Sequence, residues 1–166
     1  MTNQQRGLLL SGCALLCASG CGYTTERPFP THVRSVFVEM FQTRDFRKDL
    51  EFKLTEALAK RVEMDTDYRL APRKDADTVL SGEIIEIRQN RLGDDFRTAL
   101  PREMGVTFVL SFRWKDQRSG KILAERQRSA YTTTYISPVG ESFFDGAVRG
   151  LDGVAEQVVE ALETAW

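Results

Sequence analysis

The sequence is poor in the residues that carry most enzymatic chemistry. Among 166 residues there is one histidine, His32, and there are three cysteines, all within the first 21 positions. With the single histidine in a proline-containing tether, Ser-His and Cys-His nucleophilic pairs are excluded. Cys13, Cys17 and Cys21 recur every four residues, but no nearby histidine or carboxylate completes a metal-binding set. The glycines form no phosphate-cradling loop. Charge of one sign is also missing: 23 basic and 24 acidic side chains leave a formal charge of −1, which gives no electrostatic case for nucleic acid. No apolar run reaches the roughly 20 residues a membrane-spanning helix needs. Adjacent carboxylates do occur, at Asp75/Asp77 and Asp94-Asp95, but in turn-like surroundings that carry them routinely. These absences point away from an enzyme and imply neither a cofactor nor a metal.

What is present begins at the N-terminus. Met1 to Gly7 is polar with one positive charge, Arg6; Leu8 to Ala18 is apolar or small; Ala18-Ser19-Gly20 then precede Cys21. That is the order of a secretory signal, and a cysteine directly after the small residues makes it a lipoprotein signal. The small side chains fit a narrow peptidase cleft, and the Cys21 thiolate is the nucleophile that takes the lipid. The expectation is a signal peptide over residues 1–20, a lipidated and Pro-containing tether over 21–32, and a single α+β domain over 33–166. Pro28 and Pro30 hold the tether extended, with His32 as a solvated part of it. Once residues 1–20 are removed and Cys21 is acylated, no cysteine remains for a disulfide. The domain is then stabilised by burial, and it is long enough to bury about 68–70% of its unfolded surface.

Periodicity supplies the elements. Val33 to Phe41 reads as a strand with Val36, Val38 and Met40 on one side and Phe37, Glu39 and Phe41 on the other. Phe46 to Met64 reads as a helix capped by Thr43 or Asp45, its stripe running Phe46, Leu50, Leu54, Ala57, Leu58 and Val62. Phe52 falls off that stripe, to be covered by a loop or met by a partner. Tyr68 to Pro72 reads as a short edge strand. Thr78 to Leu92 reads as a long strand whose apolar phase changes near Ile84-Ile85, the mark of a bulge; Gly82 leaves room there for a helix to press close. Val106, Phe108, Leu110, Phe112 and Trp114 alternate through the next strand. Gln117 to Gly120 makes a hairpin turn, and Lys121 to Ile136 forms a polar, edge-type strand. In it Arg126 and Arg128 share a face with Ala130, and Tyr131, Thr133 and Tyr135 share the other. Glu141 to Trp166 reads as a second helix with Phe144, Val148, Leu151, Ala155, Val158 and Leu162 as its stripe. Its glycines at 146, 150 and 153 either allow close packing or fray it. Strands grouped between two helices predict an α+β two-layer sandwich, with two long helices packed on one face of a mostly antiparallel sheet of four to five strands.

Taken together, Gly20-Cys21-Gly22-Tyr23, the strand Val36-Phe37-Val38-Glu39-Met40-Phe41 followed by Thr43, Leu50-Glu51-x2-Leu54-Thr55-x-Ala57-Leu58, and Ala76-Asp77-x2-Leu80-x-Gly82-x-Ile84 resemble the LptE family of lipopolysaccharide-assembly lipoproteins. One position departs: Gln42 stands where the family usually has Asn. The resemblance implies an outer-membrane lipoprotein on the periplasmic face that plugs, and helps fold, the LptD β-barrel and contacts lipopolysaccharide. On that reading the candidate glycolipid or barrel contacts are Arg91, Arg97, Arg113, Lys115, Arg126, Arg128, Tyr131 and Tyr135. The guanidinium groups suit bidentate pairing with phosphate, and the tyrosines suit a wet barrel lumen. Two other classes stay open on the residues alone: a periplasmic binding module holding a small apolar ligand between helices and sheet, and a pilot-type lipoprotein of another envelope machine.

Overall fold

A computed structural model of the chain describes residues 32–47, 49–94, 97, 101–136 and 140–163, so Cys21, the signal and nearly all of the tether lie outside the described residues. The elements run β1 (Ser35–Val38), β2 (Gln42–Thr43), α1 (Leu50–Asp65), β3 (Arg69–Leu70), β4 (Thr78–Asp94), β5 (Pro101–Asp116), β6 (Ile122–Tyr135) and α2 (Phe143–Glu163). The strands form one six-stranded sheet in the order β3-β1-β4-β5-β6, with β2 also paired to β4. No described helix is long and apolar enough to cross a membrane.

The α+β class expected from the sequence is what is seen, but the sheet is mixed and has six strands. β1 pairs in parallel with β3 and β4, and β2 in parallel with β4, whereas β4, β5 and β6 form an antiparallel meander. The parallel part follows from the helical crossover: α1 carries the chain back, so β3 and β4 start again at the end where β1 began. The contacts also do not set the helices side by side over a common stretch of sheet. α1 lies against β1, β2 and β3, α2 lies against β5 and β6, and the two helices touch each other.

The core is the alternation of β5 made solid. Val106, Phe108, Leu110, Phe112 and Trp114 are all buried, and they join Leu80, Ile84 and Ile87 of β4 and the α1 stripe Leu50, Leu54, Leu58 and Val62. The bulge expected near Ile84-Ile85 is there: the register slips between Ile84, opposite Leu110, and Glu86, opposite Val109. Gly120 turns the β5–β6 hairpin at φ 72, a backbone angle that glycine adopts without a Cβ clash.

Four further expectations are corrected. First, Phe41 joins Val36 in the core and does not share the other side of the strand with Phe37 and Glu39. The strand stops at Val38 and resumes at Gln42, which shifts the alternation, and Phe41 is 1% exposed. Its ring fills the space over Gly82 that the sequence reserved for a helix. Its backbone N–H is met by the Thr55 hydroxyl of α1 at 3.0 Å.

Second, α1 begins at Leu50 instead of Phe46. Asp49 sits at φ 75 and supplies no side-chain cap, while the Thr43 hydroxyl accepts the Asp45 N–H and the Asp45 carboxylate accepts the Arg47 N–H within the preceding turn. Phe46 is therefore fully exposed. Third, Phe144 and Val148 are half exposed, because the sheet-facing line of α2 is set by its glycines and by Ala147, Leu151, Val154, Ala155, Val158 and Leu162. A Cβ at Gly146 would meet Tyr135, at Gly150 Phe108 and Thr133, and at Gly153 Tyr131. Spaced four and three apart, the glycines make one shallow track for aromatic side chains, so close packing and not fraying is their role. A capping box helps start this helix, with Ser142 and Asp145 bonding each other's side chains and N–H groups.

The fourth correction concerns β6. The β5–β6 register slips between Leu110, opposite Ser129, and Phe112, opposite Arg126, so the side-chain alternation does not run evenly from Arg126 through Arg128 to Ala130.

Candidate functional site

Beyond the core, side chains cluster over the side of the sheet away from Phe108 and Leu110. The turn joining β1 to β2 runs beside β4, and an open groove of about 580 Å³ extends from it across β4 and β5 to the bulged part of β6. Met40, Arg44, Glu83, Arg113, Glu125 and Arg126 are among the side chains that line it. Its charges are mostly matched in pairs. Arg44 grips Glu83 through two bonds of 2.7 and 2.9 Å, and Arg113 reaches Glu125 at 2.8 and 2.5 Å. Glu39, on the rim, is held by Arg73. The Arg44 hydrogen bond keeps the Glu83 carboxyl below the usual carboxylate range. Further along, Glu86 takes a bidentate Arg88 at 2.6 and 2.7 Å and Arg128 at 3.5 Å, and Arg88 is the main reason its carboxyl is held low.

The candidates from the sequence separate into three groups. Arg113 and Arg126 meet at the groove, and Arg126 makes no ion pair among the described residues. Arg128 and Lys115 are exposed on the sheet, the first engaged with Glu86. Arg91 pairs with Asp94 at 3.6 Å near the far end of the β4–β5 hairpin, and Arg97 lies exposed at its tip. Tyr131 and Tyr135 are elsewhere: both face α2, over Gly153 and Gly146, and Tyr135 is buried. The tyrosines thus serve the packing of α2 and do not stand with the arginines. Arg44 and Glu83 escaped the sequence reading because 39 positions separate them, and only the parallel β2–β4 pairing brings them together.

A second polar cluster fixes the start of the sheet. The Asp77 carboxylate accepts the N–H groups of Arg34 (3.1 Å) and Ser35 (3.2 Å) and the Ser35 hydroxyl (3.0 Å). Partial burial works against its ionisation, but these bonds and the charge of Arg118 outweigh it and hold its pKa below the ordinary value. Between the helices, Arg61 of α1 reaches Asp152 at 2.8 Å and Glu156 at 3.4 Å on α2, and the Arg61 bond holds the Asp152 carboxyl low as well. A carboxyl whose pKa is depressed on folding stabilises the fold above its unfolded value, about 4, and that contribution is lost as the pH falls through the folded value. Acid titration below about pH 5 should therefore destabilise the protein. In Asp77→Asn the loss should be shallower, as read from urea midpoints across the pH series.

Chemically, these groups offer hydrogen bonds and ion pairs. The groove carboxylates Glu39, Glu83 and Glu125 are each engaged by a guanidinium group, and among the described residues no cluster of His, Cys, Asp and Glu fits a metal ion. Residues 33–164 match the family model described as LptE, lipopolysaccharide-assembly. The chain belongs to the LptE family. No curated protein sequence matches it. The chain shares its fold with the hypothetical protein CT253 from Chlamydia trachomatis, at a TM-score of 0.52 and 13% identity over 79% of this chain and 96% of that one. It is similar also to an uncharacterized lipoprotein B from Nitrosomonas europaea, with a TM-score of 0.52, 11% identity, and 84% and 88% of the two chains covered.

Proposed function

We propose that this LptE-family protein is a lipid-anchored, non-enzymatic component of lipopolysaccharide transport. It resides at the periplasmic face of the outer membrane and plugs, and helps assemble, an LptD-like β-barrel. Residues 1–20 direct export, Cys21 carries the acyl chains, and residues 21–32 tether the domain. The observation that carries this reading is the family match over 33–164, which spans the whole folded domain. Each buried CH₂ of the anchor contributes about 0.8 kcal/mol, and the tether keeps the domain at high local concentration near its barrel.

The geometry is compatible with a plug. A barrel lumen is polar, and the groove is lined by paired charges, serines and glutamines, with Met40, Ile85 and Phe112 as its apolar members. Arg126 and Lys115, which make no ion pair among the described residues, together with Arg91, Arg97, Arg113 and Arg128, are the proposed cations for glycolipid phosphate or the barrel wall. The alternative of an apolar ligand held between helices and sheet has less support, because the space between them is filled by Trp114, Phe108, Phe41 and the helix leucines.

Tagging the C-terminus and purifying from membranes in mild detergent should recover a barrel protein in equimolar amount, and intact-mass analysis should find Cys21 acylated. Recovery without any barrel protein rejects the plug, and an unmodified Cys21 in a product free of envelope fractions rejects the anchor.

A further inference from the structure

Among the described residues, β6 is the longer of the two edges of the sheet, at fourteen residues. Such an edge presents a row of backbone donors and acceptors that an added strand can pair with. From Ser129 to Tyr135 its register against β5 is unbroken, and the segment Ser-Ala-Tyr-Thr-Thr-Thr-Tyr carries no charge and is rich in β-prone residues.

Two contacts show which of its backbone groups point outward. Arg149 of α2 donates from Nη2 to the Thr134 carbonyl at 3.0 Å, and Glu141 accepts the Ile136 N–H at 2.7 Å. Glu141 and Arg149 also hold each other, at 2.7 and 3.2 Å. Because N–H and C=O of one residue point to the same side of an antiparallel strand and alternate along it, the outward groups here belong to Ala130, Thr132 and Thr134. Glu141 and Arg149 therefore form a clip across the end of an otherwise open edge.

We infer that this clip is an edge guard, which keeps β6 from pairing with β6 of a second copy of the chain. The uncharged segment fits its own antiparallel copy centred on Thr132. In that register Thr132 faces Thr132, Ala130 faces Thr134, and Arg128 faces Ile136, so no two like charges oppose each other. Centring the pair on Gln127 would instead set Arg126 against Arg128, which is repulsive. The Thr132 register needs the Thr134 carbonyl and the Ile136 N–H of each copy, and the clip occupies both. With the clip closed, four of the inter-strand bonds cannot form and the Arg149 side chain stands in the path of the partner strand.

The test is the oligomeric state of the full chain in mild detergent, by sedimentation velocity together with amide hydrogen exchange. The parent protein should be monomeric. The double variant Glu141→Ala, Arg149→Ala should lower the dimer dissociation constant by on the order of a hundredfold, and the Ala130 and Thr132 amides should become protected as it dimerises. The charge-swapped variant Glu141→Arg, Arg149→Glu keeps an ion pair but offers no donor to Thr134 and no acceptor to Ile136, so it should dimerise too. A swapped variant that stays monomeric would reduce the pair to a structural salt bridge and overturn the guard. The guard is overturned equally if the double variant keeps its helical signal and remains monomeric, or if the parent already dimerises through β6. Glu141→Gln, which retains the acceptor for Ile136 and leaves Arg149 in place, should remain monomeric; its dimerising would mean that charge and not edge coverage governs association. Should the double variant lose its fold, Arg149→Met, which uncovers Thr134 alone, carries the test with a smaller shift in the same direction.

Discussion

Trp114→Ala should lower the free energy of unfolding by about 3–5 kcal/mol, the range for removing a large buried aromatic side chain. Against a total of about 5–15 kcal/mol for a domain of this kind, that is a large fraction of the stability. Trp114 is fully buried, its ring lies 5.8 Å from that of Tyr68, and it stands opposite Leu80 on one side and Ala124 on the other. It therefore joins β4, β5 and β6 to the chain that leaves α1, and a cavity at this position cannot be filled by one neighbour moving. Its indole N–H is buried with no hydrogen-bond partner among the described residues. Trp114→Phe removes that unmet donor along with part of the ring, so its cost should be less than half that of the alanine variant. The measurement is a urea titration at neutral pH in which the midpoint falls and the slope is unchanged. Phe52→Ala serves as the reference: Phe52 is 55% exposed on α1 and its loss should stay within about 0.5 kcal/mol. A Trp114→Ala cost of about 1 kcal/mol or less would mean that the core is assembled around something else.

What could be read from the sequence was what depends on short-range periodicity. The alternation Val106 to Trp114 places five buried side chains, the spacing Leu50-Leu54-Leu58-Val62 places four more, and the doublet Ile84-Ile85 marks the bulge. What could not be read depends on a break in phase or on distant pairing. Phe41 enters the core because three residues between Val38 and Gln42 leave the strand, and nothing local marks that interruption. The mixed sheet turns on the pairing of β1, β2 and β3, whose direction is set by the α1 crossover and not by the alternation within any strand. At the candidate site, Arg113 and Arg126 were legible as strand cations, but Arg44 and Glu83 meet only through the fold. Tyr131 and Tyr135 show how a strand's composition can hide its packing. A polar, hydroxyl-rich strand suggested a wet surface, yet the glycines of α2 at matching spacing were the signal that its aromatics lie beneath a helix.

That pairing of helix glycines with strand aromatics sets the second large effect. Gly153→Ala should destabilise the protein by about 1–3 kcal/mol, even though alanine is favoured over glycine within a helix by roughly 1 kcal/mol. The opposing term is steric: a Cβ at position 153 would overlap the ring and hydroxyl of Tyr131, whose neighbour across the ladder is Phe108, itself beneath Gly150. Relief requires Tyr131 to leave its place under α2 or α2 to lift from the sheet, and either move disturbs the packing of Gly150 on Phe108 and Thr133. The two terms separate in a double-mutant cycle. In a Tyr131→Ala background the obstruction is gone and only the propensity gain remains, so Gly153→Ala should then stabilise by about 1 kcal/mol. A sign reversal between the two backgrounds, measured by thermal or urea unfolding, is the expected outcome. If Gly153→Ala stabilises the parent protein as well, the helix does not rest on Tyr131, and the glycines of α2 are there for some reason other than close approach to the sheet.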